Sequence, residues 1–451
     1  MKTNLSVASC LAREISALSA VHYFGHITSV KGLLVEVRAP SCVQTIGRQA
    51  LILANPERRA EVIGFNGGHA LMMVFGSCEG LGVSQRVVFE GNSQCIFPTV
   101  HWIGRTINAM GAPIDNKGPL EKGEVGYSLN SAPLPAIQRN RVGSKIDLGV
   151  RVINTFLSCC SGQRMGIFAG SGVGKSVLLS MIARFTDLDV IVIGLIGERA
   201  REVQEFIQEH LGEEGLKRSI VVVASSGEPA LIRRQAAYLT LTLAEFLADQ
   251  GKQVLCLMDS VTRFAMALRE IGLSVGEPPT AKGYPPSVFA ELARLLERAG
   301  PRQDAGSITG LFTVLVEGDD HNEPIADAIR SILDGHIVLN RKIAERGRFP
   351  AVDVLRSVSR TLPRCNSERE NALVSRAKEL LSAYEDMEEL IRLGAYKKGS
   401  DSKVDEAIFY QNDLISFLSQ STYERALLQE GYNQLEQILE RQKMSNVEKS
   451  S

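Results

Sequence analysis

No apolar run in this sequence of 451 residues approaches the roughly 18 residues that a bilayer-spanning helix requires. The N-terminus also lacks the charged, apolar and small-residue order of a signal peptide, so the chain is expected in the cytosol. An excess of one charge is missing as well: 50 basic residues face 51 acidic ones. That balance argues against a surface built as a whole to hold nucleic acid or anionic lipid, and leaves room only for a local patch. Metal-site spacings are absent too. The eight cysteines are scattered, and the close pair Cys159 and Cys160 is adjacent rather than separated by two residues. The seven histidines form no HExxH pattern, so the only metal expected is one carried by a substrate, and the cysteines read as free thiols.

A chain this long is expected to hold about three domains. In residues 1–20, Leu11, Ile15 and Leu18 share one face at helical spacing, which predicts an amphipathic helix that packs on its own domain or docks a partner. From 21 to 95, short β-rich runs such as "YFGHITSV", "GLLVEVRA" and "QRVVFEG" alternate with turn residues and predict a small β-barrel. Its few aromatics and modest basic content favour packing or ring formation over oligonucleotide binding. Residues 96–365 alternate apolar strands ("RMGIFAG", "DVIVIGLIG", "SIVVVAS", "QVLCLMD", "ITGLFTVLVEG") with amphipathic helices, the mark of an α/β domain on a parallel sheet. "GEPPTAKGYPP" is too rich in Gly and Pro for either element and reads as a loop. Residues 366–451 turn charged and helix-favouring, predicting a helical C-terminal domain.

The strongest local signal is "FAGSGVGKSV", which follows an apolar strand and opens a helix, as a phosphate-binding loop must. The loop runs Ala169, Gly170, Ser171, Gly172, Val173, Gly174, Lys175, Ser176, with alanine where glycine is commonest. Its glycines let backbone N–H groups converge on phosphate oxygens, Lys175 neutralises β and γ charge, and Ser176 offers a hydroxyl to Mg²⁺. Asp259 ends the apolar run "VLCLMD" and is the candidate magnesium-side acid, since a carboxylate there otherwise meets an apolar sheet end at a desolvation cost. Its neighbour is Ser260, so a water-orienting base has to come from elsewhere. Glu198, at the end of the strand after the P-loop helix, is placed to serve, with Arg199 expected near the phosphates. The plainer account of Glu198 is a glutamate favoured at a helix start, which suffices for Glu202.

Together "FAGSGVGKS", "GLIGERAREV", "LMDSVTRFAMALREIGLSVGEPPTAKGYPPSVFA", "ILDGHIVLNR", "FPAVDVLRSVSR" and "GRTINAMGAPID" resemble the ATPases of flagellar and type III protein export, a family similar to the catalytic subunits of rotary ATP synthases. The resemblance covers nearly the whole chain and implies a RecA-like P-loop core between an N-terminal barrel and C-terminal helices. It implies that Glu198 is the catalytic glutamate, Asp259 the magnesium-side aspartate and Arg263 a phosphate-side arginine. Phe349 would lie against adenine, and Tyr396 would cover the other side of the base. Phe349 as a core residue and Arg263 as the partner of a nearby acid remain the simpler readings. Ala200 stands where relatives often have Gly.

Arg360, at the end of "LRSVSR", has no acid nearby in sequence and taken alone reads as a surface charge. The resemblance instead implies an arginine finger reaching a neighbouring subunit's nucleotide, and hence a homohexamer with its sites at subunit boundaries. It further implies an ATP-hydrolysing motor of flagellar export, peripheral at the inner face of the cytoplasmic membrane. The expected partners are a stator-like regulator, a central coiled-coil stalk, export chaperones and substrates, and a membrane export gate, with no nucleic acid. The alternatives are a virulence injectisome ATPase, the catalytic subunit of a proton-translocating synthase, and a ring RNA translocase.

Overall fold

The structure, a computed structural model, describes residues 23–90, 94–303, 305–316, 318 and 323–448. The helix expected at 1–20 lies outside them. The chain divides into two compact units. One holds the residues up to Cys95 together with Glu228–Ile232 and Ala267–Pro285; the other holds Ile96–Gly227, Arg233–Met266 and Pro286–Ser451. The units are thus not consecutive stretches of sequence: two later segments, the second carrying most of the Gly/Pro-rich loop, belong with the N-terminal strands.

In the first unit, β1 (Tyr23–Lys31), β2 (Leu34–Arg38), β3 (Gln49–Ile52), β4 (Arg58–Asn66), β5 (His69–Val74) and β6 (Arg86–Phe89) close into a barrel in the order β1-β2-β5-β4-β3-β6. The period of two in the sequence accounts for it: Ile27, Val35, Val37, Ala50, Ile52, Val62, Met72 and Val87 all turn into one apolar interior. Closure removes the open edges that such short strands would otherwise present. Between β4 and β5, Gly67 and Gly68 both take positive φ (53° and 82°), as a tight hairpin needs.

In the second unit, β7 (Cys95–Ile96) and β9 (Tyr127–Ser128) are two-residue strands, while β8 (Thr106–Asn108), β10 (Arg164–Ala169), β11 (Val190–Glu198), β12 (Ser219–Ser225), β13 (Gln253–Asp259), β14 (Gly300–Pro301), β15 (Ser307–Leu315), β16 (Gly335–Leu339) and β17 (Val352–Ser359) build one sheet. The order is β17-β16-β10-β15-β13-β11-β12-β8, with β14 paired to β15. Every pairing from β16 across to β8 is parallel, whereas β17 runs antiparallel on β16. The near-continuous apolar strands are buried because helices cover both faces.

Those helices are α1 (Arg151–Phe156), α2 (Lys175–Phe185), α3 (Ala200–Glu205), α4 (Gly212–Lys217), α5 (Ala230–Asp249), α6 (Val261–Ser274), α7 (Pro286–Leu296), α8 (Pro324–Ile332) and α9 (Arg341–Glu345), followed by α10 (Glu368–Arg392), α11 (Ser402–Leu418) and α12 (Leu428–Glu448). Helix α10 starts with a capping box, Ser367 accepting from the Glu370 N–H while the Glu370 side chain accepts from the Ser367 N–H. Asp401 caps α11 by accepting from Lys403 and Val404. The C-terminal helices share a core with the sheet: Tyr410, Leu414, Phe417 and Tyr432 pack in the same cluster as Phe156, Ile167 and Ile193. The expected α/β core, small barrel and C-terminal helices are all present.

Candidate active site

Strand β10 delivers the chain to the carboxyl end of the parallel sheet, and residues 170–174 turn it into α2. Gly172 and Gly174 hold φ of 76° and 87°, conformations that a side chain would strain. A Cβ on Gly174 would also sit 3.4 Å from the Phe349 ring. The loop therefore offers bare N–H groups and the positive end of an 11-residue helix to an anion.

Strands β11 and β13 are neighbours with Leu195 opposite Asp259, so Glu198 and Asp259 emerge at the same end as the loop. The pairing of β11 with β12 shifts register between Ile196 and Glu198, across Gly197 at φ 71°. This bulge re-aims the strand end and turns Glu198 inward. A Cβ on Gly197 would meet the Arg263 stem at 2.7 Å, so glycine also makes room for that arginine. Lys175 Nζ closes the group, donating to Asp259 Oδ1 at 2.5 Å and to Glu198 Oε1 at 3.2 Å. Thr313 Oγ1 donates to the same Asp259 oxygen at 2.7 Å.

Asp259 is 4% exposed. Burial raises its pKa, against the pull of the Lys175 charge, and the nearby Glu198 adds to the rise. Burial works the other way on Lys175, but the Asp259 and Glu198 carboxylates outweigh it and hold the ammonium above its ordinary range. The result is a water-poor pair of carboxylates bridged by one cation, a setting in which electrostatic interactions are strong.

The other residues singled out in the sequence divide. Arg263, near the start of α6, has a buried Nε without a hydrogen-bond partner among the described residues, and its Nη1 meets the Met266 sulfur at 3.7 Å. An arginine left that incomplete beside Gly197 fits a phosphate-side role. Phe349 is 46% exposed and faces Gly174 across the loop. It lines a cavity of about 480 Å³ with Arg151, Gly347, Ser419, Gln420 and Glu424 among its walls. Gln420 N donates to Phe349 O at 2.9 Å, and the Gln420 side chain links Arg151 N and Gly149 O. This segment after α11 went unread in the sequence, where it carries no motif.

Tyr396, expected across the base from Phe349, does not line the Phe349 cavity. Its hydroxyl bonds Asp401 O and Asp405 Oδ1 at the start of α11, whereas the cavity lies at the other end of that helix, lined by Ser416 in its last turn and by Ser419 and Gln420 just beyond. The 17 residues of α11 hold the two regions apart by about 24 Å, at 1.5 Å of rise per residue. Arg199 is likewise not brought in: its side chain is 82% exposed, 3.5 Å from Glu202, because turning Glu198 inward turns its neighbour outward.

Arg360 stands elsewhere altogether. It follows β17, whose last residue Ser359 pairs with Gly335 at the amino end of β16. Its N–H donates to Asp334 O and its Nη2 to Arg330 O, and it pairs with no carboxylate among the described residues. Asp334 grips Arg164, the first residue of β10, so Arg360 lies a strand length from the P-loop, roughly 16 Å at about 3.3 Å per residue.

Known proteins resemble this chain in the barrel, the nucleotide-binding domain and the C-terminal helices alike. The profile of the ATP synthase alpha/beta family nucleotide-binding domain matches residues 149–359, that of the family's beta-barrel domain 27–91, and that of the T3SS EscN ATPase C-terminal domain 366–437. The flagellum-specific ATP synthase of Caulobacter vibrioides is 55% identical, over 95% of this chain and 99% of its own length. That of Bacillus subtilis is 48% identical, over 90% and 93%. Among solved structures, the assembled ATPase EscN from the type III secretion system of enteropathogenic E. coli superposes with TM-score 0.87 at 40% identity, covering 92% of this chain and 99% of that one. EscN in complex with its central stalk EscO gives 0.84 at 39% identity, with the same coverage. The chain belongs to the flagellum-specific ATP synthase family.

Proposed function

We infer that this chain hydrolyses ATP as the ATPase of flagellar type III protein export. The observation that carries the chemistry is Lys175 bridging Glu198 and Asp259 at the mouth of the P-loop. The loop N–H groups and Lys175 hold the β- and γ-phosphates, Phe349 supports the base, and Arg263 completes its bonding on phosphate oxygen. Glu198 orients the attacking water and accepts its proton.

The donor set suits magnesium brought in with the nucleotide. Ser176, next to Lys175 at the start of α2, and Asp259 are hard oxygen donors, and the paired acids Asp259 and Glu198 favour an added cation. Mg²⁺ held there would supply positive charge against the negative charge that develops during transfer. Ser176 and Asp259 are the residues that hold it, Asp259 directly or through water.

Arg360 is too remote to serve the P-loop of its own chain and acts on that of a neighbour, so the working form is a ring, a homohexamer. Hydrolysis helps to release or unfold cargo and chaperones for the export gate. The ring sits peripherally at the inner membrane face, with a coiled-coil stalk at its centre and a stator-like regulator holding residues 1–20. The EscN likeness supports the stalk, since EscN is itself solved with one. The same likeness keeps the injectisome as a second reading, though the flagellar relatives reach higher identity. Deleting the gene separates the two: loss of filament assembly with effector secretion intact supports the flagellar reading, and the reverse overturns it.

A further inference from the structure

Strand β15 carries two fully buried threonines on one face, Thr309 and Thr313. A hydroxyl buried in a parallel sheet is costly unless bonded, and valine would fill either position with the same shape. Thr309 has a structural occupation, accepting from Gly162 N at 3.0 Å. Thr313 does something different. Its single proton has two acceptors in range, Asp259 Oδ1 at 2.7 Å and Met258 O at 3.3 Å, and the nearer one is a carboxylate.

We propose that Thr313 is a positioning residue for the metal side of ATP hydrolysis: it fixes the rotation of the Asp259 carboxylate by holding Oδ1. Lys175 takes the same oxygen at 2.5 Å. Lysine is a flexible point charge on a long stem, and on meeting phosphate it has other oxygens to serve. Thr313 sits on a central strand between β10 and β13, and its one other acceptor, Met258 O, is the more distant at 3.3 Å. With Oδ1 held from below, Oδ2 stays in one orientation while the lysine changes partner. This role rests on the magnesium-dependent ATPase reading.

The test uses the full chain and the variants Thr313→Val and Thr313→Ser. ATP affinity is measured with Mg²⁺ and again in EDTA, and the Mg²⁺ concentration for half-maximal hydrolysis is recorded beside them. In T313V the gain in ATP affinity on adding Mg²⁺ falls about tenfold and the Mg²⁺ midpoint rises by a similar factor, the worth of one hydrogen bond to a charged group. Affinity in EDTA stays at the wild-type value, and T313S restores both quantities. Where T313V does not fold, Thr313→Ala set against T313S reads the same difference. A T313V protein with wild-type magnesium linkage overturns the proposal, as does equal loss of affinity with and without Mg²⁺, which marks a merely structural role. A wild type whose ATP binding and hydrolysis ignore Mg²⁺ overturns the ATPase reading and this role together.

Discussion

The two ends of the central sheet are built on opposite plans. At the carboxyl end, Glu198, Lys175, Asp259 and Thr313 are linked in that order by a chain of hydrogen bonds. At the amino end, Arg360 is exposed, tied by its backbone to Asp334 and by one guanidinium bond to a carbonyl. One end has acids, a lysine, a phosphate loop and the guanidinium of Arg263 beside Gly197. The other has a guanidinium and no phosphate loop. On the roles proposed above, a single copy would carry both halves of a phosphoryl-transfer site about a strand length apart.

The largest expected effect breaks this contrast directly. Lys175→Ala and Arg360→Ala each lower hydrolysis by about 10³-fold or more, the second by the usual worth of an arginine finger. Mixed together, they regain activity at those boundaries where an intact loop meets an intact finger. Mixed rings that stay inactive would sink the assignment in trans. Next comes Glu198→Gln, expected to cost roughly 10² to 10⁴ in kcat while ATP still binds, since it removes a base and no binding contact. A matching loss of ATP affinity would place Glu198 in binding instead.

Smaller effects sharpen the picture at the base. Phe349→Ala should raise KM for ATP about tenfold with kcat little changed, as the loss of one aromatic face predicts. Glu424→Ala alters another lining residue of the cavity and should raise KM less, because that carboxylate is already engaged by Arg151. Tyr396→Phe should leave kcat and KM where they were. A KM shift in that variant would restore Tyr396 to the base side, against its bonds to Asp401 and Asp405.

What was legible in the sequence follows from how local each signal is. The P-loop declares itself because its glycines, lysine and helix start are consecutive, and Asp259 because a carboxylate after five apolar residues has few innocent explanations. Thr313 was hidden, since its meaning depends on which strand lies beside β15, and a threonine in an apolar run looks like any β-branched residue. Gln420 and its neighbours were hidden for a similar reason: only folding brings them beside Phe349. That the structure sets Tyr396 and Arg199 away from the P-loop cluster turns on direction rather than on identity. Nothing in the residues tells which end of α11 faces the loop, and the bulge at Gly197 that turns Glu198 in and Arg199 out leaves only a glycine as its trace.

The hydrogen bond from Gln420 to the Phe349 carbonyl has a mechanical corollary. The wall of the cavity is the stub of a rod, since α11 leads from it, over about 24 Å at 1.5 Å per residue, to the turn that holds Tyr396. Each degree by which that rod pivots at its cavity end moves the far end by about 0.4 Å on the same helix geometry.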